Sequence, residues 1–202
     1  MFEIAFYKKE ITGIILVGGK SRRMGRDKAF LKLRGKTLFE GVLDIFRENF
    51  ERIMLVGNNP ERFSPYGIPI VPDIYPGSSL GGIYTGLFHS TSDYIFASSC
   101  DLPFPNGDVL RYLCALREGY DAVVTTTANG YEPLFALYSK TCLDPMKALI
   151  ESGDFCAYAY FPQVRVRHVP YEELAHLDSD RNAFVNVNTP EEFKNIGGKL
   201  CP

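Results

Sequence analysis

The segment Ile11 to Leu33, ITGIILVGGKSRRMGRDKAFLKL, constrains this chain more than any other. Ile11, Ile14, Ile15, Leu16 and Val17 form an uncharged run of β-branched and aliphatic residues, the pattern of a buried strand. The run stops at Gly18-Gly19, and a dense set of cations follows. Between Lys20 and Lys36 eight basic residues (Lys20, Arg22, Arg23, Arg26, Lys28, Lys32, Arg34, Lys36) stand against one acid, Asp27. The whole chain has a formal charge of −2, so this cluster is a local concentration. Paired glycines let backbone approach a ligand closely, and the N–H groups of such a loop converge on anions. A loop just beyond the C-terminal end of a strand also lies where open α/β sheets bind ligands. The segment reads as a phosphate-binding loop; a solvated basic turn between strand and helix is the plain alternative.

The remaining composition narrows the class. A chain of 202 residues fits one domain spanning 1–202, long enough to bury about 70% of its unfolded surface. Hydrophobic content of 46% and charged content of 23% are those of an ordinary soluble globular protein, and its scattered cysteines suit a reducing cytoplasm. The near-neutral balance argues against a nucleic-acid partner, which calls for a dominant basic face. No apolar run approaches the roughly 18 residues of a membrane span. Residues 1–10, MFEIAFYKKE, have too short an apolar core for a signal peptide and are expected as an N-terminal extension, a short extra strand or a frayed end. Five scattered cysteines form no C-x-x-C pair, which disfavours a zinc site or a disulfide framework and suits buried free thiols.

Along the chain, Leu38, Phe39, Val42, Leu43, Phe46 and Phe50 recur at helical spacing, predicting an amphipathic helix over Thr37–Phe50. Arg52–Gly57 and Ile68–Pro72 read as strands around an Asn58-Asn59-Pro60 turn. Strand, helix and strand at this spacing make a βαβ unit, hence a parallel sheet. A glycine-containing loop, Pro76–Gly82, leads into a helix ending near Ser90. Tyr94–Cys100 is expected as a central strand that delivers Asp101-Leu102-Pro103 to the same edge as Gly18-Gly19. Asn106 is placed to cap a helix reaching Arg117. Asp121–Thr127, Leu134–Tyr138 and the alternating Val164–Val169 read as strands, and Lys140–Ser152 as a helix. Thr189-Pro190-Glu191-Glu192 combines a capping box with proline at the first turn. The expectation is a three-layer α/β fold with a mostly parallel, mixed sheet.

Two familiar phosphate motifs are excluded. A P-loop ends as Gly19-Lys20-Ser21 does, but position 14 is Ile where it needs Gly. Gly18, Gly19 and Gly25 do not have dinucleotide-fingerprint spacing. What is present, L-x-G-G-x-S-x-R-M-G-x-D-K-x-x-L, resembles the signature of nucleotidyltransferases with a Rossmann-like, glycosyltransferase-A-like fold. In wording, Leu16 to Lys28 is most similar to the molybdenum cofactor guanylyltransferase family.

The resemblance implies roles for particular residues. Asp101, alone readable as a turn cap, matches the family's D-x-P motif and would hold Mg²⁺ together with nucleotide phosphates. The backbone of Leu16, Val17, Gly18 and Gly19 would hold the nucleotide, with Arg23 and Lys28 over its phosphates and Arg23, Lys28 and Asp101 as the catalytic set. Asp73, at the end of a V-P-D run, matches a nucleotide-contacting position, although Asp at a strand end is also ordinary turn chemistry. Leu80-Gly81-Gly82-Ile83 resembles a loop near the guanine base, with Ser78-Ser79 where Gly-Pro is more usual. Val56-Gly57-Asn58 departs from the family too; Val56 cannot supply the amide some members use, which leaves Asn58 for it. Phe184–Glu192 resembles the N-x-N-T-P-E end of the family. It implies that Asn186 and Asn188 bind the pterin acceptor, with a tight turn as the structural alternative and Asn188 as a second metal contact.

The reaction implied is transfer of GMP from GTP to a molybdopterin-type cofactor, with release of pyrophosphate, and the product would pass to molybdoenzyme maturation proteins. A CTP-using relative, a sugar-phosphate nucleotidyltransferase and a non-catalytic nucleotide-binding adaptor are the other readings. Arg165, Arg167 and His168 read as a basic strand face, either solvated or facing an anionic substrate.

Overall fold

The computed structural model describes residues 8–18, 28–185, 187 and 189–199. Strand β1 (Ile11–Leu16) is followed by a 3-10 turn (Lys28–Phe30), a hairpin of β2 (Lys32–Leu33) and β3 (Lys36–Thr37), helix α1 (Leu38–Asn49), β4 (Arg52–Val56) and β5 (Ile70–Val71). Then come α2 (Ser79–His89), β6 (Tyr94–Ser99), α3 (Gly107–Ala115), β7 (Ala122–Thr127), β8 (Gly130–Tyr131), β9 (Phe135–Ser139) and α4 (Leu143–Glu151). Strand β10 (Val166–Pro170), α5 (Tyr171–Leu174), α6 (Pro190–Asn195) and β11 (Gly198–Lys199) complete the order.

The large sheet runs β10-β7-β9-β6-β1-β4-β5, with β8 hydrogen-bonded to β7. β1 is parallel to both β4 and β6, β4 to β5, and β7 to β10; β9 runs antiparallel between β6 and β7. The mostly parallel, mixed sheet expected from the sequence is therefore present. Register sets its working edge: Leu16 lies beside Val56 on one side and Ser99 on the other. Gly18, Asn58 and Asp101 consequently stand the same two residues beyond three adjacent strands. β11 joins the hairpin in a separate three-stranded sheet, β11-β2-β3.

Helices cover both faces. Ile11, Ile15 and Val17 pack with Phe39, Val42 and Phe46 of α1 and Val109 and Leu113 of α3. Ile14 and Leu16 point to the other layer, with Leu80, Ile83 and Leu87 of α2 and Met146 and Ile150 of α4. A third cluster of Leu31, Leu33, Leu38, Val187 and Phe193 joins the hairpin region to the end of the chain. Three helix starts are capped, at Asn106 and Thr189 as read from the sequence and at Thr37 in addition. Glu40 N–H donates to Thr37 Oγ1 at 3.1 Å, Glu40 Oε2 accepts from Thr37 N–H at 2.7 Å, and Asn106 accepts from the N–H groups of Asp108 and Val109. Thr189 and Glu192 form the second capping box.

Three expectations need correction. Residues 8–10 are helical, not an added strand. The strand expected over Ile68–Pro72 shortens to Ile70–Val71, because Pro69 and Pro72 bracket it and lack the N–H a ladder needs. The helix expected from Lys140 begins as a 3-10 turn, Lys140–Cys142, before α4.

Close layer packing depends on small residues in α2. A Cβ on Gly86 would lie 2.7 Å from Ile14 Cγ2 and one on Gly82 would lie 3.1 Å from Leu16 Cδ1. Helix propensity favours alanine over glycine by about 1 kcal/mol, whereas overpacking a core costs about 1–3 kcal/mol. Gly86→Ala should therefore lower the thermal midpoint, against propensity; an unchanged or raised midpoint by calorimetry would show that Ile14 yields without cost.

Candidate active site

The level strand ends create an open edge where backbone and short loops meet the solvent. Leu16 and Val17 are buried, and the Val17 N–H donates to the Val56 carbonyl at 2.8 Å. Gly18 beyond them is exposed. Any ligand at this point meets main chain rather than the aliphatic side chains.

Three distant segments converge on Lys28. Its Nζ donates to the Val187 carbonyl at 2.7 Å and lies 3.9 Å from Asp101 Oδ2. The lysine side chain retains 17% of its exposure and the aspartate 34%. Asp101 lies two residues past the end of β6, and the buried Leu102 and Pro103 anchor the chain after it. Lys28 starts the 3-10 turn after the opening loop, with buried Ala29 and Leu31 holding that turn against the core. Burial of Val187 in the cluster with Leu31 and Leu38 brings the chain's last segment against the lysine. Lys28 from the opening signature, the D-x-P carboxylate and Val187 between the two asparagines thus meet in space. Gly19, Arg23, Asn186 and Asn188 lie outside the described residues.

A second set of predicted residues forms a hydrogen-bonded turn one strand away. Asp73 N–H donates to Asn58 Oδ1 at 3.1 Å, and Asp73 Oδ1 accepts from Tyr75 N–H at 3.1 Å. The Thr85 hydroxyl accepts from Ile74 N–H and lies 3.0 Å from Asp73 Oδ1 and 2.8 Å from the Gly81 carbonyl. Sequence reading missed Thr85; its signal was the one aliphatic hydroxyl in the largely apolar Leu80–Phe88 stretch. Leu80 is fully buried, and Gly81 N–H donates to Ser78 Oγ, which caps α2. A Cβ on Gly81 would lie 2.0 Å from the Tyr75 carbonyl oxygen, so packing alone requires glycine there. Asn58, Asp73 and Gly81 therefore shape the loop wall whatever they bind.

For a divalent ion, the described residues contain no group of three His, Cys, Asp or Glu side chains that could enclose it. Asp101 presents a partly exposed carboxylate at the open edge. That donor set fits an ion such as Mg²⁺, which keeps several waters and takes substrate phosphate oxygens alongside one or two carboxylates.

The expected basic strand face is divided. Arg165 forms an ion pair with Asp121, its Nη2 3.1 Å from Oδ1, and Arg167 binds both oxygens of Glu173 at 2.6 and 2.8 Å. His168, pointing to the opposite face by strand alternation, packs 5.5 Å from the Tyr131 ring. These arginines serve structural pairs. Cys100, Cys114, Cys142 and Cys156 are free thiols.

Fold and site together define a nucleotidyltransferase: a mixed, mostly parallel sheet covered on both faces, with a glycine turn, a lysine and a carboxylate at one edge. The profile of the MobA-like NTP transferase domain matches residues 13–165, and the chain belongs to that family. It is 36% identical over 190 residues to a Clostridium perfringens protein named "Probable molybdenum cofactor guanylyltransferase", covering 92% of this chain and 95% of that one. It is 34% identical to the molybdenum cofactor guanylyltransferase of Desulfosudis oleivorans, covering 91% and 93%. Among solved structures, molybdopterin-guanine dinucleotide biosynthesis protein A from Archaeoglobus fulgidus superposes with a TM-score of 0.79 at 28% identity, covering 92% of this chain and 96% of that one.

The Asp121–Arg165 pair makes stability depend on pH. Hydrogen bonds from Arg165, chiefly, hold the Asp121 carboxyl down at about 2, below its ordinary 3.8. A depressed carboxylate stabilises the fold above its unfolded value and loses that contribution as pH falls from about 3.8 toward 2. Asp121→Asn should lower the midpoint at neutral pH and flatten the acid limb of the stability profile in that window, measured by thermal melts across pH.

Proposed function

We propose that this chain transfers GMP from GTP to the terminal phosphate of a molybdopterin-type cofactor, forming the guanine dinucleotide and releasing pyrophosphate. The observation that carries this reading is the convergence of Lys28, Asp101 and Val187 at the sheet edge, 2.7 and 3.9 Å apart about one ammonium group. Family membership and the names of the relatives agree with it.

The nucleophile is already an anionic phosphate, so no strong general base is required. The task is to bring two polyanions into line and to stabilise charge on the α-phosphate and the leaving pyrophosphate. In this reading the backbone of Leu16, Val17, Gly18 and Gly19 holds the nucleotide, and Arg23 and Lys28 lie over its phosphates. The loop braced by Asn58 and Asp73 and entered through Leu80 and Gly81 faces the base. Asp101 would hold Mg²⁺, which supplies charge neutralisation and a template for the phosphates. Asn186 and Asn188 bind the acceptor. The Lys28 bond to Val187 then couples the nucleotide grip to the acceptor segment, because one ammonium group touches both sides.

We take residues 1–202 as one functional domain, working in the cytoplasm and passing its product to molybdoenzyme maturation proteins. No helix among the described residues is long and apolar enough to cross a membrane.

Removing one preorganised charge contact typically costs ~10²–10³ in rate. Lys28→Ala and Asp101→Ala should each lose about that much turnover, with circular dichroism and melting near the parent's; near-normal dinucleotide formation by either would sink the assignment. Base choice rests on a few pocket hydrogen bonds. Isothermal titration with Mg²⁺ present should show GTP binding well above CTP, and a preference for CTP would reassign the substrate.

A further inference from the structure

Glu132 is a half-buried carboxylate that the reaction just described does not use. It lies in the turn between β8 and β9. That turn is tied to the reacting edge: Ser99 N–H, at the end of β6, donates to the Leu134 carbonyl at 3.2 Å. Glu132 is two residues from Leu134, and Asp101 is two residues from Ser99. On the other side Phe135 packs 6.0 Å from Phe184, two residues before Asn186. The turn that carries Glu132 is therefore tied on one side to the strand end before Asp101 and leads on the other into a strand packed on Phe184.

Its local partners leave it undersatisfied. One Oε accepts at 3.2 Å from the Thr127 hydroxyl, which also lies 3.3 Å from the Gly130 carbonyl and can donate to only one of them. None of the ion pairs among the described residues includes Glu132. Burial raises its carboxyl above the ordinary value, with only the Thr127 contact acting against it. Thr125, on the same face of β7 as Thr127, is fully buried, and its hydroxyl has no hydrogen-bond partner among the described residues. A partly buried carboxylate with one hydroxyl partner and no ion pair keeps acceptor capacity for a ligand, and perturbed carboxylates of this kind concentrate at functional sites.

We propose that Glu132 recognises the pterin ring of the acceptor through the adjacent ring N–H and amino group of its 2-amino-4-oxo edge. Those two parallel N–H donors match the two oxygens of a carboxylate as a guanidinium fork does. Guanine carries the same edge, but the nucleotide grip lies on the β1, β4 and β5 side, whereas Glu132 lies across β6 on the β9 and β7 side. This assignment rests on the pterin-acceptor reading above.

The test uses the full-length protein with saturating GTP and Mg²⁺, varying molybdopterin. Glu132→Gln keeps the shape but replaces one acceptor oxygen with a donor. It should raise the acceptor KM by ~10–10²-fold, the effect of losing a charged hydrogen-bond acceptor, while GTP affinity by titration stays at the wild-type level. As inhibitors of the wild type, 6-hydroxymethylpterin should outperform its 2-oxo lumazine analogue, and Glu132→Gln should lose that preference. An unchanged acceptor KM in the variant, or an equal loss of GTP affinity, overturns the role of Glu132 while leaving the reaction in place. Absence of any dinucleotide product with the wild type overturns the reaction and this inference together.

Discussion

Strand β1 has no face toward water. It is hydrogen-bonded on both sides, to β4 and β6, and covered on both faces by helices. Each main-chain polar group in such a strand must be paired by a neighbour, because an unpaired buried N–H or carbonyl costs ~1–3 kcal/mol. That requirement holds the three strands in one register. It sets Gly18, Asn58 and Asp101 level, and every other feature of the site is hung from that edge. Close approach of α2 through Gly82 and Gly86 completes the constraint, since a larger residue would push the helix from the strand whose end it helps to position.

The site itself is held by a different kind of interaction. Lys28 bonds a carbonyl from the far end of the chain and stands within ion-pair reach of a carboxylate from the middle. The apolar cluster of Leu31, Leu33, Leu38, Val187 and Phe193 makes this possible by fixing the hairpin region against the final helix. Polar contact and apolar anchor serve one purpose: the segment of Val187 and Phe193 is kept against residues from the opening of the sequence. A charged donor on a mobile segment would not be preorganised for phosphate, and preorganisation is where electrostatic stabilisation gains its strength.

Much of this was legible beforehand. The periodicity of Leu38 to Phe46 marked α1, and Asn106 and Thr189 marked two more helix starts. Those signals are local, set by side chains within one turn of the backbone they cap. Asp101 stood out because an apolar strand ended in a carboxylate before proline. Less legible were Thr85, whose hydroxyl is needed only because Ile74 and Asp73 fold back onto α2, and Glu132, whose surroundings are assembled from β6, β7 and the chain's end. Arg165 and Arg167 read as a basic face, yet Asp121 and Glu173 pair with them from other elements. Partner identity at long range leaves no local trace.

By itself the sequence determined the class of fold, the strand-and-glycine opening with its concentrated positive charge, and the carboxylate and capping motifs that carry the family likeness. These follow from residue type and spacing, which act over one or two turns of chain. Only the tertiary structure decided that Lys28 meets Val187 and Asp101, that Asn58, Asp73 and Thr85 form one braced loop, and that the turn carrying Glu132 is tied to the end of β6. Those outcomes depend on strand register and on which faces pack together, and the free energy that selects them comes from burial shared among residues far apart in sequence.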